Sequence, residues 1–276
     1  MSRARVSHVH IYVCIKEIQD PEIAPSVFRV NEETKEVVPV PGLPLVTSPF
    51  DEQAIEAALR IRDKAADTRI TVVTFGPKSS LTPIKRALAM GADDAIWISD
   101  EGLEAMDSYA TACILARAIG KAGDCDLVLT GRQAADWDAG IVGCGIAETM
   151  GMPVVTFAMS VGIDERRARV ERVLNDGSET IEAALPCVVT ISNELGEPRK
   201  ASLRETMRAA KKPVVSWTAE SLGVSRTSFG APESRQVRER LYVPAKDIQC
   251  EFFHDAGTPQ EIASRLAERL AAAKLI

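Results

Sequence analysis

Residues 126–151, DLVLTGRQAADWDAGIVGCGIAETMG, decide how the rest of the chain is read. The apolar run Leu127, Val128, Leu129 is short and bounded by Asp126 and Thr130, which predicts a strand buried on both faces. A polar loop, 131–138, follows. Residues 139–150 are small and apolar and stop at Gly151 with Pro153 beyond, which predicts a helix with Asp138 as its N-cap. A helix that opens at the carboxyl end of a parallel strand presents unpaired N–H groups and the positive end of its dipole, an arrangement suited to phosphate. Gly140, Gly143 and Gly145 let a ligand or a neighbouring backbone come close. The spacing is neither the G-x-G-x-x-G dinucleotide fingerprint nor a P-loop. An anion or nucleotide site and a glycine-rich helix packed tightly on a sheet are both open on these residues alone.

Working outward, strands alternate with helices. Strands are predicted at 9–15, 70–75, 95–98, 127–129 and 154–157. Helices are predicted at 48–66, where Ser48 caps, Pro49 takes the first turn and Asp51 stands near the dipole, and at 81–90 and 108–121, with Asp107 or Ser108 as cap. This alternation implies a parallel sheet covered on both faces, with ligands bound at the strands' carboxyl ends where the strand order switches. A small hairpin is expected around the polar turn at 31–35. Beyond residue 160, two alternating runs flank Asn175-Asp176-Gly177-Ser178, a hairpin signal. A strand from Cys187, a polar loop at 192–200 carrying Leu195, a basic helix at 202–211 and an extended 213–217 follow. Residues 224–250 have mixed charge and no apolar period, so they read as an arm lying on another surface. Thr258, Pro259 and Glu261 then start a final helix whose apolar face is Ile262, Leu266, Leu270 and Ala273. The expected division is 1–219 as the nucleotide-binding domain and 220–276 as arm and helix.

The composition bounds the function. With 276 residues, 46% of them hydrophobic, a sizeable core is available. A formal charge of −6 and the lack of a basic aromatic-laced run argue against nonspecific nucleic-acid binding. No apolar run reaches membrane-spanning length, and the alternation of Val9, Ile11, Val13 and Ile15 suggests a strand rather than a signal-peptide core. The six cysteines are scattered without C-x-x-C, which suggests buried thiols and a reducing, cytoplasmic setting. His8 and His10 share strand spacing, but no third metal ligand is in view. No Ser/His/Asp set appears, and Asp136 and Asp138 are accounted for by capping and loop turning.

The ordered segments resemble the β subunit of electron-transfer flavoproteins over residues 9–223, more loosely in the tail. The resemblance is carried by Val13-Cys14-Ile15-Lys16, Ser48-Pro49-Phe50-Asp51-Glu52, Thr74-Phe75-Gly76-Pro77, Arg86-Ala87-Leu88-Ala89-Met90-Gly91-Ala92-Asp93 and Gly131-Arg132-Gln133-Ala134. Val170-Glu171-Arg172, Leu185-Pro186-Cys187-Val188-Val189-Thr190, Gly196-Glu197-Pro198-Arg199 and Ala209-Ala210-Lys211-Lys212-Pro213 add to it. The resemblance implies an α/β, Rossmann-like domain of the adenine-nucleotide hydrolase type with a β-hairpin insertion and a C-terminal arm plus helix. It implies an α subunit holding the redox FAD, and an AMP, or a second FAD in electron-bifurcating members, bound by this chain. By resemblance the nucleotide lies against Cys14, Ser48, Phe50, Asp51, Phe75, Gly131, Arg132, Gln133, Ala134, Asp136, Trp137, Asp138, Gly140, Ile141, Val142 and Gly143. Phe50 faces the flavin side.

The loop departs from the family pattern. Ile141 stands where Gln is usual, Trp137 where a small or acidic residue is usual, and Val142 before Gly143 leans toward the FAD-type loop. By resemblance, Leu195 anchors an acyl-CoA-dehydrogenase-type flavoprotein partner, and Glu171 lies near the mobile flavin domain. The downstream acceptor is a quinone oxidoreductase or ferredoxin. The implied role is electron carriage without bond chemistry on a metabolite. The alternatives are a bifurcating complex whose second FAD oxidises NADH, and a stand-alone nucleotide-binding module.

Overall fold

A computed structural model describes residues 8–99, 106–218, 220–223, 235–244, 250–253 and 257–276. The basic residues at 1–7 and much of the arm expected at 224–250 lie outside these.

A nine-stranded mixed sheet forms the frame. In chain order its strands are β1 (Val9–Cys14), β6 (Thr68–Phe75), β7 (Asp94–Ile98), β8 (Leu127–Gly131), β9 (Val154–Asp164), β10 (Arg167–Leu174), β11 (Gly177–Ala184), β12 (Cys187–Ile191) and β13 (Val215–Trp217). Four two-residue strands, β2 (Glu17–Ile18), β3 (Val30–Asn31), β4 (Glu36–Val37) and β5 (Val46–Thr47), pair outside it as β2 with β5 and β3 with β4. The spatial order is β11-β10-β9-β12-β8-β1-β6-β7-β13. The seven strands from β9 to β13 in that order are parallel, and β10 and β11 extend the β9 edge as an antiparallel hairpin. The expected parallel sheet is therefore part of a mixed one. Val154–Asp164 is far longer than the predicted 154–157 because its second half leaves the parallel core and pairs with β10.

The helices are α1 (Pro49–Lys64), α2 (Leu81–Met90), α3 (Ser108–Ala122), α4 (Val142–Met150), α5 (Leu203–Ala209) and α6 (Pro259–Ala272). Alternation along the strands divides the core in two. Ile11 and Val13 of β1, with Leu127 and Leu129 of β8, pack with Ile55 and Leu59 of α1 and Ile84 of α2. Tyr12 and Cys14, with Val128 of β8, pack on the other face with Ile114 and Ile119 of α3 and Ile146 of α4. Glu56 clamps the first layer from outside. Its carboxylate accepts from Arg60 Nε at 2.8 Å and from Arg199 backbone N and Nε at 3.1 and 2.8 Å, tying α1 to the segment after β12. These arginines hold the Glu56 carboxyl below its ordinary range against the opposing effect of burial.

α6 carries the predicted capping box between Thr258 and Glu261 but buries none of its residues. Its apolar face, with Leu266 half exposed, has no cover among the described residues. No helix among those residues is long and apolar enough to cross a membrane.

The chain runs β1, β6, β7 outward in one direction and then returns to place β8 on the other side of β1. The carboxyl ends of β1 and β8 thus flank a reversal of strand order, where an open α/β sheet leaves a crevice.

Candidate functional site

Asp51 spans that crevice. It lies in the first turn of α1, and the residue is 7% exposed. Oδ2 accepts from Lys16 N, just beyond β1, at 2.8 Å, and Oδ1 accepts from Gly131 N, at the end of β8, at 3.1 Å. One side chain therefore satisfies the backbone of both strands where they part. Burial raises its pKa to about 7, against the pull of those two N–H donors. Gly131 is obligatory for this contact: a Cβ there would stand 2.6 Å from Asp51 Oδ1 and 2.7 Å from Phe50 Cβ.

The loop 131–140 is held from both sides. Lys16 Nζ donates to Asp136 at 2.7 and 3.0 Å, and Gln133 Nε2 donates to Asp138 Oδ1 at 2.7 Å. Asp138 itself has φ 49°, so it turns the loop and does not cap the helix, correcting the sequence expectation. The helix begins at Val142, not 139, with Ile141 at the N-cap position and no side-chain cap bond. Its first N–H groups are left for another acceptor. Gly143 brings this turn onto the sheet: a Cβ would meet Thr130 Oγ1 and Thr190 Cγ2 at 2.7 Å each. Gly145 does the same against Ala112 of α3, at 2.7 Å. Gly140 has φ 62°, a turn position suited to glycine.

Ser48 occupies the N-cap position of α1, yet its side chain makes no cap bond. Its Oγ is buried with no hydrogen-bond partner among the described residues, as is Thr74 Oγ1, beside Phe75 at the end of β6. Both residues are fully buried, so each hydroxyl is an unmet polar group near the carboxyl end of the sheet. Arg132 lies between two rings, 5.0 Å from Phe50 and 5.9 Å from Phe157, and donates to Ser192 Oγ at 3.3 Å. Phe157, which no local sequence signal marks as a site residue, has φ 59° where β9 shifts register against β12, which turns it outward at 42% exposure.

The remaining predicted residues divide. Ala134 lies in the loop, and its carbonyl accepts from Asp138 N at 2.9 Å. Trp137 and Ile141 are exposed beside it. Cys14, the last residue of β1, packs among α3 and α4 residues, where burial pushes its thiol well up. Phe75 packs on the same core. His8 and His10 do not converge: His8 pairs with Asp67, and His10 Nε2 meets Thr71 Oγ1 at 2.8 Å. Glu171 accepts from Ser178 Oγ at 3.2 Å within the hairpin.

Leu195 is not the exposed residue its polar setting suggests. It sits in a single 3-10 turn, Asn193–Leu195, is 6% exposed, and belongs to the α1-side core. The exposed apolar residues nearby are Leu203 at 77% and Met207 at 63%, both on α5. With Arg204, Arg208 and Lys211 they line a shallow cavity of about 530 Å³. The sequence signal was a helix of seven residues that buries only Ala209, too short to hide its own apolar face.

The strand-order reversal, the bridging carboxylate and the uncapped helix together define an α/β protein with an anion-competent crevice at its switch point. A family model described as "Electron transfer flavoprotein domain" matches residues 42–222. The chain is 37% identical over 239 residues to the caffeyl-CoA reductase-Etf complex subunit CarD of Acetobacterium woodii, covering 86% of this chain and 89% of that protein. It is 36% identical over 263 residues to the electron transfer flavoprotein subunit beta of Thermoanaerobacterium thermosaccharolyticum, covering 95% and 98%. Protein FixA of Azorhizobium caulinodans is 34% identical over 245 residues, covering 86% and 85%. The chain belongs to the electron transfer flavoprotein family, on the β-subunit side.

Proposed function

We propose that this chain pairs with an electron-transfer-flavoprotein α subunit, holds an adenine nucleotide in the switch-point crevice, and helps carry electrons from an acyl-CoA-dehydrogenase-type flavoprotein to a quinone oxidoreductase or ferredoxin in the cytoplasm. The observation that carries the nucleotide is the pairing of an uncapped helix N-terminus with buried, unpartnered hydroxyls at the end of the sheet. An adenine nucleotide fits this donor set. The α4 N–H groups face a phosphate, Ser48 and Thr74 supply hydroxyls, and Arg132 adds charge beside Phe50. The FAD supplies the redox step when bound, mainly on the α subunit, and this chain supplies position and a dry wall. Within the expected arm and helix at 220–276, α6 with its exposed face suits packing on the α subunit.

Docking is assigned to α5 rather than to Leu195. Exposed Leu203 and Met207 ringed by Arg204, Arg208 and Lys211 fit an apolar pocket with an acidic rim on the partner flavoprotein. Replacing Leu203 and Met207 together by Ala is expected to raise the KM for the partner about 30-fold, as loss of about 2 kcal/mol of hot-spot contact implies, with nucleotide content unchanged. Leu195→Ala instead lowers stability by about 2–5 kcal/mol, the range for a buried leucine. Steady-state electron transfer and denaturant melts separate the two.

A second possibility, a second FAD in this chain with NADH as electron source, is supported by Val142 before Gly143 and by the likeness to a subunit of a caffeyl-CoA reductase-Etf complex. Co-purification with the α subunit and a flavin count decides. One FAD per heterodimer supports the simple carrier and two support the bifurcating form. A stable homodimer that never recruits an α subunit overturns both.

A further inference from the structure

Residues 235–238 lie against their own chain, beside the loop that leads into α4. Asp107 divides its two oxygens between two tasks. Oδ1 accepts from Ala110 N at 2.8 Å and caps α3, while Oδ2 accepts from the backbone N–H groups of Arg235 at 2.6 Å and Gln236 at 3.1 Å. The Arg235 guanidinium covers the Tyr109 ring at 3.6 Å. Three residues on, the Arg238 guanidinium covers the Trp137 ring at 4.1 Å and also donates to the Lys35 carbonyl. Trp137 follows directly on Asp136, the residue Lys16 holds, in the loop that leads into α4. The segment thus joins three separate parts of the chain: the start of α3, the crevice loop and the β3–β4 hairpin.

From this geometry we infer that residues 235–238 are a clasp that holds the crevice loop shut over its ligand. The sequence supports that use. Three cations, Arg235, Arg238 and Arg240, fall within six residues, opposite a rim that carries Asp107, Asp136 and Asp138. Stacking a guanidinium on an exposed indole fixes the ring without burying it. Trp137 is therefore the anchor point of the clasp, with one ring face taken by Arg238. A ligand leaves only when the loop moves, and the loop moves only when Arg238 lets go.

The role in ligand retention rests on the proposed nucleotide site; the clasp itself does not. The heterodimer is compared as wild type, Asp107→Ser and Arg238→Gln. Serine keeps a capping oxygen for α3 but has no second oxygen for the segment. Hydrogen exchange reads the clasp. The Arg235 and Gln236 amides are expected to be protected in the wild type and to exchange at least tenfold faster in Asp107→Ser, the change that loss of a charge-assisted hydrogen bond implies. Unprotected amides in the wild type, or unchanged exchange in the variant, overturn the clasp. Release of bound nucleotide, followed by mass spectrometry after dilution, is expected to be about tenfold faster in both variants. Unchanged release with lost protection overturns the retention role. A wild type that protects those amides but carries no nucleotide overturns the nucleotide site and the retention role while leaving the clasp in place.

Discussion

Asp51→Ala is expected to destabilise the chain by about 2–5 kcal/mol, because the backbone N–H groups of Lys16 and Gly131 both lose the carboxylate that accepts from them and each unmet buried donor costs about 1–3 kcal/mol. The same change parts the ends of β1 and β8, so nucleotide is lost with it. Asp51→Asn separates charge from shape. In the wild type the folded carboxyl has a pKa near 7, raised by burial from 3.8. A carboxyl that binds its proton more tightly when folded favours the folded state at low pH. Its contribution is complete below about pH 4 and is lost as pH rises to about 7, with a size on the order of a few kcal/mol. Denaturant midpoints measured from pH 4 to 8 are expected to fall across that window in the wild type. In Asp51→Asn that component is absent. A wild-type profile that rises with pH throughout the window contradicts the buried, bridging placement.

Gly131→Ala is the second large effect. The added methyl would sit 2.6 Å from Asp51 Oδ1, 2.7 Å from Phe50 Cβ and 3.0 Å from the Phe50 carbonyl carbon. Only the first of these is a side-chain terminus; relief requires the first turn of α1 to move off the sheet. Overpacking of this kind costs about 1–3 kcal/mol, and here it displaces the bridging carboxylate as well. Nucleotide content of the purified heterodimer is expected to drop at least tenfold. Gly120→Ala is the matched control, since a methyl there, in the last turn of α3, meets nothing within 4 Å. Helix propensity makes it neutral or stabilising by up to about 1 kcal/mol. Equal nucleotide content in the two variants would falsify the role given to Gly131.

The sheet and the crevice were legible in the sequence to different depths. Strand runs such as 127–129, within the observed Leu127–Gly131, and the helix signals around Pro49 and Pro259 stand out because buried strands and proline-opened helices leave local marks. Strand order does not, since it is fixed by pairing between residues as far apart as Val13 and Leu129. The β9–β10–β11 meander was half visible: the Asp176-Gly177 turn announced the hairpin, while the extension of β9 depends on a partner strand. The start of α4 was misplaced because Asp138 has the chemistry of a cap but a left-handed backbone, and Gln133 takes its side chain. Leu195 was misread for the converse reason. A leucine among Glu194, Gly196 and Pro198 reads as surface, but the 3-10 turn swings it beneath Arg60, which holds its carbonyl at 2.9 Å. Leu203 and Met207 were hidden inside a helix read only for its charge. Asp51 was singled out for the helix dipole; its bridge between β1 and β8 emerges only once the strands are adjacent.

The central claim, that the crevice between the ends of β1 and β8 holds an adenine nucleotide, is tested most directly by identifying and counting the nucleotide released from the purified heterodimer on denaturation. The account predicts one adenine nucleotide, AMP or FAD, per copy of this chain in addition to the FAD of the α subunit, and its loss in Gly131→Ala. A heterodimer that is folded, active in electron transfer and free of any second adenine nucleotide contradicts it.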